Sequence, residues 1–129
     1  MLKTPRNNPF AALTRTYHEP SRMAIMSALC GSENGLCFAE LKEQCRLTDG
    51  NLNRHLKALS DAGAVRLRKT TNHNNKPRTV VLITDPGRES FIGYLKALEG
   101  VLRTAAEALA PQDRLANMPA LWDTQLELK

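Results

Sequence analysis

The most constraining feature of the sequence is a pair of helical patterns joined by a connection of only a few residues. The stretch FAELKEQC repeats apolar side chains at spacings of three and four, which is typical of a helix with one buried face. A second helix is predicted from Thr48 to Ala62, because Thr48 is a natural N-cap and Gly63 a left-handed C-terminal cap. Its leucines form one stripe and are Leu52, Leu56 and Leu59. Two helices so closely connected predict a helix-turn-helix.

The opposite side of the helix from Thr48 to Ala62 is polar. At about 100° per residue, the leucines face one way and most of the other side chains face away from them. Asn51 and Asn53 lie on the two flanks, and His55 falls at the edge of the apolar stripe. The residues opposite the leucines are Gly50, Arg54, Lys57 and Asp61.

Further helices and a brief strand are predicted before this pair. Residues 10–17 indicate a short helix, and a second helix begins at Pro20, where the missing N–H of proline carries no penalty. Leu36 and Cys37 are consistent with a brief strand after the turn residues GSENG. The expected inner face of the helix that begins at Pro20 consists of Ala24, Ile25, Ala28 and Leu29.

After Gly63 the periodicity changes from that of a helix to that of a strand. In AVRLRKTT, Val65 and Leu67 alternate with Arg66 and Arg68, which is the signature of a half-buried strand. TVVLIT provides a second strand, and the polar run NHNNKPR lies between the two. Together they predict a hairpin with a long, basic, flexible tip.

The last predicted helix carries a long apolar stripe. Thr84 or Asp85 caps its start, Pro86 lies in its first turn and Pro111 ends it. A hairpin and three short helices cannot bury a stripe of this length, so a second copy of the chain is expected to cover it. The predicted homodimer interface comprises Phe91, Leu95, Leu98, Leu102 and Leu109.

These elements predict one α+β fold that is mostly α with a small β hairpin. Their order is that of a winged helix-turn-helix with a long C-terminal dimerisation helix, and 129 residues are enough for one such domain. The expected divisions are a disordered N-terminal arm at 1–8, the winged helix-turn-helix at 9–85, the dimerisation helix at 86–110 and a C-terminal tail at 111–129.

Positive charge is concentrated in one third of the chain. Residues 46–88 contain nine basic and three acidic side chains, a net charge of +6, whereas the whole chain carries +5. A local field of this sign attracts polyanions such as nucleic acid. No Phe, Tyr or Trp occurs between Ala39 and Ser90, so this segment has no rings on which single-stranded bases can stack. Duplex DNA is therefore the favoured partner.

Other classes of function receive no support from the sequence. It contains no Ser-His-Asp arrangement, glycine-rich phosphate loop or HExxH motif, so neither an enzyme nor a cofactor is expected. MLKTPRNNPF lacks the apolar region of a signal peptide, and no apolar run approaches the ~20 residues that span a bilayer. With 42% hydrophobic residues the composition is that of a soluble globular protein, and a cytoplasmic location without membrane contact is expected.

The three cysteines, Cys30, Cys37 and Cys45, occur at wide spacings without a CxxC pair. This spacing predicts neither a disulfide framework nor a zinc site. The cysteines are interpreted as small buried hydrophobic residues, and a thiol sensor or a metal site is the open alternative.

Several segments resemble the small stand-alone winged-helix transcriptional regulators related to the MarR and ArsR groups. They are RMAIMSAL, FAELKEQCRLTDGNLNRHLKALSDAGAVRLRK, KPRTVVLITDPGRESF and the following Tyr94, and LTDGNLNRHLKAL is the most specific string. The resemblance covers roughly residues 20–98. It implies a homodimeric, repressor-like bacterial or archaeal protein that binds double-stranded DNA.

The resemblance also implies roles for individual residues. The helix from Thr48 to Ala62 would enter the major groove, and the hairpin tip at 72–78 would contact the backbone or the minor groove beside it. Arg54 and Asn53 can present paired hydrogen-bonding groups to base edges, and Lys57 suits a phosphate contact. The predicted DNA-binding residues are Thr48, Gly50, Asn51, Asn53, Arg54, Lys57, Arg68, Lys76 and Arg78.

Some alternatives remain open at the level of sequence. His55 could contact DNA beside Arg54, but its flank position favours a packed, hydrogen-bonded structural histidine. ArsR-type metal sensors carry a closely spaced cysteine pair on the helix before the reading helix, where this chain offers only Cys45, with Cys37 eight residues earlier. The alternative functions are a thiol- or metal-responsive DNA-binding sensor and a winged-helix protein-interaction module without DNA binding. The sequence identifies no small-molecule effector.

Overall fold

The computed structural model describes residues 15–109, and their elements follow the predicted order. The fold is α+β, with a helix-turn-helix, a hairpin wing and a long C-terminal helix, as the sequence predicts. The helices are α1 (Pro20–Cys30), α2 (Phe38–Cys45), α3 (Asp49–Asp61) and α4 (Asp85–Ala108). The strands are β1 (Leu36–Cys37), β2 (Val65–Thr71) and β3 (Pro77–Ile83).

Some predicted features lie outside the described residues. They are the arm at 1–8, the tail at 111–129 and most of the short helix predicted at 10–17, of which residues 15–17 form a turn. The chain divides into two compact units, one of residues 13–94 and another whose described part is residues 95–109. Among the described residues, no helix is both long enough and apolar enough to cross a membrane.

The core of the first unit joins one face of each short helix to the sheet. In α1 the buried residues are Ile25, Met26 and Leu29, whereas Ala24, expected on the inner face, is exposed. The buried face of α1 is therefore rotated towards Met26, which is fully buried. Full burial of a side chain of this size contributes about 1.5–3 kcal/mol. The other short helices and the sheet contribute Leu41, Leu52, Leu56, Leu59, Ala64, Val65, Val80 and Val81.

The three strands form an antiparallel sheet in the order β1-β3-β2. Leu36 pairs with Val81 at one side of β3, and Val65 pairs with Ile83 at the other. The alternation predicted for β2 is wrong beyond its first residue, because Val65 is buried but Leu67 is 44% exposed. The strand lies at the edge of the sheet, and burial of β2 is confined to the base of the hairpin.

The connection between α2 and α3 is as tight as predicted. Arg46 adopts a left-handed conformation with φ of 57°, and the Leu47 N–H donates to the Lys42 carbonyl at 3.0 Å. Lys42 Nζ also lies 2.8 Å from Asp49 Oδ1, which ties the end of α2 to the start of α3. This turn fixes the angle at which α3 leaves α2.

An aromatic cluster corrects one sequence prediction. Phe91 was expected at a dimer interface, but it is only 1% exposed within the chain. Its ring lies edge-on to Tyr17, with centroids 5.3 Å apart, and is stacked with Tyr94 at 6.0 Å. Phe91 is therefore a core residue, and its side chain is not available to a second copy.

The end of α3 and the start of α4 meet at a close backbone contact. Gly63 has a φ of +80°, as its predicted capping role requires, and the chain turns there into β2. The Thr84 hydroxyl donates to the Gly63 carbonyl at 2.7 Å and accepts from the Gly87 N–H at 2.9 Å. Thr84 is thus the N-cap of α4 and also holds the turn after α3.

Gly87→Ala should lower the free energy of unfolding by about 1–3 kcal/mol, the usual cost of forcing an extra carbon into a packed site. A Cβ at position 87 would lie 2.1 Å from the Ala64 carbonyl oxygen, so the backbone would have to move. Denaturant unfolding followed by circular dichroism measures the change. Gly93→Ala is the matched control, because no atom lies within 4 Å of its Cβ position and alanine should stabilise the helix by up to about 1 kcal/mol. A similar loss of unfolding free energy in both variants would contradict a specific steric constraint at Gly87.

Candidate nucleic-acid interface

Helix α3 has two distinct faces, as the sequence predicts. Leu52, Leu56 and Leu59 are buried almost completely in the core. The polar side chains are exposed and therefore available to a ligand; they are Asn51, Asn53, Arg54 and Lys57. The burial of the leucines fixes the rotation of α3 about its axis, so the exposed set is determined by the core.

The start of α3 is capped and sterically open. Thr48 Oγ1 accepts a hydrogen bond from the Asn51 N–H at 3.2 Å, so this predicted DNA-binding residue has a local role at the helix N-terminus. Gly50 is exposed, and no atom lies within 4 Å of the position that a Cβ would occupy. A large ligand can therefore approach the backbone closely at this point.

Arg54 and Lys57 differ in how they are held. Arg54 Nη2 lies 3.4 Å from Asn51 Oδ1 and 3.5 Å from His55 Nε2, so two side chains of α3 restrain the guanidinium. Lys57 Nζ lies 3.3 Å from Asp61 Oδ2 in an exposed pair one helical turn apart. Such surface pairs contribute only about 0.3–0.5 kcal/mol, so a phosphate group can readily draw Lys57 away.

His55 lies in the core, and the prediction that it is packed is confirmed. It is 2% exposed, and its Nδ1 lies 3.9 Å from Glu19 Oε1. Burial lowers the pKa of His55 and the positive charges of Arg54 and Arg22 lower it further, while Glu19 acts in the opposite direction. The imidazole is consequently neutral near pH 7.

The wing, defined as β2, β3 and the turn at 72–76, ends in an ordered turn. Asn72 Oδ1 accepts hydrogen bonds from the N–H groups of Asn74 at 2.8 Å and Lys76 at 3.0 Å. The Asn72 N–H donates to the Lys76 carbonyl at 2.9 Å, and Asn75 has a φ of 68°. The tip is therefore a hydrogen-bonded turn, and its predicted flexibility stays a prediction.

Basic side chains line the wing on its exposed surfaces. The predicted residues Arg68, Lys76 and Arg78 are all exposed. An open cavity of about 560 Å³ separates the wing from the start of α2, and Lys69 and Arg78 lie on its wall. The cavity is lined by Cys37, Phe38, Ala39, Lys69, Asn72, Pro77, Arg78 and Thr79. Lys69 is absent from the predicted contact residues, although it directly follows Arg68 in the basic run of β2.

The predicted dimer stripe on α4 is only partly available. Phe91 belongs to the core and Leu98 is half-buried, whereas Leu95, Leu102 and Leu109 are exposed, Leu109 by 62%. Ile92 is a large exposed apolar side chain that the sequence interpretation overlooked. A spacing of four and three cannot distinguish a residue that packs within the chain from one that remains exposed.

The three cysteines have free thiols and are each half-buried, where the sequence suggested small buried hydrophobic residues. Burial raises the pKa of Cys45. Within residues 15–109, no three His, Cys, Asp or Glu side chains lie close enough together to hold a metal ion.

Comparison with known proteins identifies the family. Residues 21–102 match the family described as winged helix DNA-binding domain. The chain belongs to this family. The expected resemblance to small winged-helix transcriptional regulators is thereby confirmed.

Two relatives of this winged-helix protein are the most informative by sequence. An uncharacterised protein of Methanocaldococcus jannaschii is 37% identical over 82 residues, which cover 63% of this chain and 86% of the relative. A transcriptional regulator homologue of Pyrococcus horikoshii OT3 has a solved structure with 29% identity and a TM-score of 0.68. That match covers 75% of this chain and 96% of the other.

A more distant structure is similar in fold. The regulator MOSR of M. tuberculosis, solved in complex with DNA, is 16% identical and has a TM-score of 0.58. The match covers 93% of this chain and 85% of MOSR. At this level of identity the similarity establishes the shared fold only.

The pKa of His55 predicts how the stability of this winged-helix protein depends on pH. His55 takes up a proton near pH 6.5 in the unfolded chain but only at lower pH in the folded chain. The stability that the neutral, buried imidazole contributes is therefore present above about pH 6.5 and is lost as pH falls through the lower folded pKa. The loss is about 1.4 kcal/mol for each unit by which folding lowers the pKa. Free energies of unfolding of the wild type and His55→Gln, measured between pH 7.5 and 5, should reveal it. The wild type should lose stability relative to the variant, and parallel curves would contradict the prediction.

Proposed function

We propose that the protein is a sequence-specific, double-stranded DNA-binding transcriptional regulator that acts as a homodimer. The observation that carries the proposal is the orientation of α3, whose leucines are buried while Asn51, Asn53, Arg54 and Lys57 are exposed. Membership of the winged helix DNA-binding domain family and the positive charge of residues 46–88 support it. The fold shared with MOSR, a regulator solved in complex with DNA, is consistent with it.

The proposed division of labour follows from side-chain chemistry. Arg54 and Asn53 offer paired hydrogen-bonding groups and read base edges in the major groove, while Lys57 contacts phosphate. Gly50 leaves space for the DNA backbone at the start of α3. The wing supplies phosphate contacts through Arg68, Lys76 and Arg78, joined by Lys69.

The homodimer part of the proposal rests on α4. Ile92, Leu95, Leu102 and Leu109 remain exposed in the single chain, and large apolar side chains in a row favour burial against another surface. Two copies would present two reading helices to successive major grooves about 34 Å apart, which requires a palindromic site. The resemblance to repressor-like regulators favours repression as the direction of control.

Selection of bound sequences from a random duplex pool tests the proposal as a whole. A palindromic consensus would support both specific binding and a symmetric dimer. Addition of the protein to an in vitro transcription reaction whose promoter carries the selected site tests repression. If no duplex is bound in a salt-dependent manner, the proposal fails and a protein-interaction module becomes the better explanation.

Arg54→Ala and Lys76→Ala should have different effects on DNA binding. Arg54→Ala should relax preference at one position of each half-site and cost about 1–3 kcal/mol on the selected sequence, because the lost base contact is not replaced. Lys76→Ala should weaken binding to selected and random duplexes alike and reduce the salt dependence. Fluorescence anisotropy titrations with both duplexes at several salt concentrations separate the two effects. Equal losses for both variants on both duplexes would refute the division of roles.

The double variant Leu95→Glu with Leu102→Glu should be monomeric. It would place carboxylates within the proposed apolar interface, where burial of charge is unfavourable. Sedimentation velocity at micromolar concentration measures the association state, and the variant should lose most specific affinity but keep weak, salt-sensitive binding to any duplex. Thr104→Glu is the control, because residue 104 is exposed and lies about 180° around the helix from residue 95. A monomeric wild type, or tight palindrome binding by the double variant, would contradict the proposal.

A further inference from the structure

His55 lies in the core, directly beside Arg54 on α3. Its ring occupies a small polar cluster at the boundary of α1 and α3. A buried imidazole is unfavourable compared with an apolar side chain, and His55 Nδ1 has no hydrogen-bond partner among the described residues. The contact of the other ring nitrogen, Nε2, with Arg54 therefore indicates the role of the His55 side chain.

The geometry of the cluster favours one tautomer of His55. Arg54 Nη2 lies 3.5 Å from His55 Nε2, and a guanidinium can only donate hydrogen bonds. This contact is favourable only when Nε2 is unprotonated, so it favours the tautomer with the ring proton on Nδ1. Glu19 Oε1 lies 3.9 Å from Nδ1 on the other side of the ring, which also favours a proton there.

Glu19 is itself held in place by α1. It is the N-cap of that helix, and its Oε1 accepts a hydrogen bond from the Arg22 N–H at 2.9 Å. Arg54 receives a second restraint from Asn51 Oδ1 at 3.4 Å. Both restraints on Arg54 are long hydrogen bonds, so loss of either one should free the side chain.

We propose that His55 is a positioning residue that holds Arg54 in place for base recognition and releases it when the imidazole is protonated. The inference rests on the proposed DNA-binding function. It assigns His55 no contact with DNA, because the side chain is buried.

Protonation of His55 makes its contact with the Arg54 guanidinium repulsive. With a proton on Nε2, the imidazolium and the guanidinium would both be hydrogen-bond donors, and their two positive charges would lie next to each other. The charged groups that act on His55 are Glu19 and Arg22 from α1 and Arg54 from α3 itself. Glu19 favours the imidazolium and the two arginines oppose it, so the Arg54 side chain can relieve the repulsion by moving into solvent. A freed Arg54 must then be ordered again when DNA binds, at an entropic cost.

The first experiment compares the wild type, His55→Gln and His55→Leu at constant salt, from pH 8 to one unit below the pKa of His55 that NMR titration gives for the wild type. Each protein is titrated with the duplex obtained from the random pool and with a random duplex of equal length. The quantity of interest is the ratio of the two affinities, because a general gain of positive charge at low pH strengthens binding to any duplex and largely cancels in the ratio. Circular dichroism at each pH verifies that the proteins remain folded.

The expected results differ among the three proteins. The wild-type ratio should fall about three- to tenfold as pH decreases, the range expected for the ordering of one long side chain. His55→Gln should retain the high ratio at every pH, because its amide oxygen can accept from Arg54 and does not titrate. His55→Leu should have the low ratio at every pH. His73→Gln is the control, because it removes an exposed histidine of the wing, and it should behave as the wild type.

A second experiment uses the protein without DNA. The pKa of His55 is measured by NMR titration of its ring protons in the wild type, Arg54→Ala and Lys57→Ala. Removal of the Arg54 charge should raise the pKa of His55, whereas removal of the Lys57 charge, whose partner is Asp61, should leave it unchanged. The same shift in both variants, or in neither, would overturn the proposed contact.

The two experiments separate failure of this inference from failure of the proposed function. If the wild type binds a selected duplex but its affinity ratio does not change with pH, or if His55→Gln follows the same pH profile as the wild type, His55 does not position Arg54. If no duplex is selected at all, the DNA-binding proposal fails and the role of His55 in it fails as well, whatever the NMR titration reports.

Discussion

The burial of three leucines on α3 is the constraint on which the rest of the interface depends. Leu52, Leu56 and Leu59 pack into the core, and a helix anchored along one stripe cannot rotate without exposing that stripe to water. The orientation of the polar side chains of α3 is therefore a consequence of hydrophobic packing. Truncation of any of these leucines would cost stability and would also misdirect residues that never touch the core, because both faces belong to the same rigid helix.

The wing and the reading helix present positive charge in different ways. On α3, Arg54 is restrained by neighbouring side chains, which suits a contact that must distinguish one base from another. On the wing, the backbone turn is held by Asn72, and within residues 15–109 the basic side chains of the wing form no hydrogen bonds or ion pairs comparable to those of Arg54. Charge without fixed geometry is adequate for phosphate, which is the same at every step of a duplex.

Features set by local chemistry could be predicted from the sequence, and features set by distant packing could not. The N-cap at Thr48 and the left-handed Gly63 depend on neighbouring residues and were predicted, and Thr84 was one of the two caps expected for α4. The burial of Phe91 depends on Tyr17, which is remote in sequence, and the exposure of Leu67 depends on how far the helices cover the hairpin. Likewise, the flank position of His55 predicts packing, but its relation to Glu19 appears only when α1 is brought against α3.

The joint at Thr84 and Gly87 has a mechanical consequence. The first turn of α4 is hydrogen-bonded to the turn after α3, and Gly87 has no space for even one additional carbon. The end of α3 and the start of α4 are therefore held together directly. A rotation of the first turn of α4 would therefore also move the turn that follows α3, because Thr84 and Gly87 contact that turn directly.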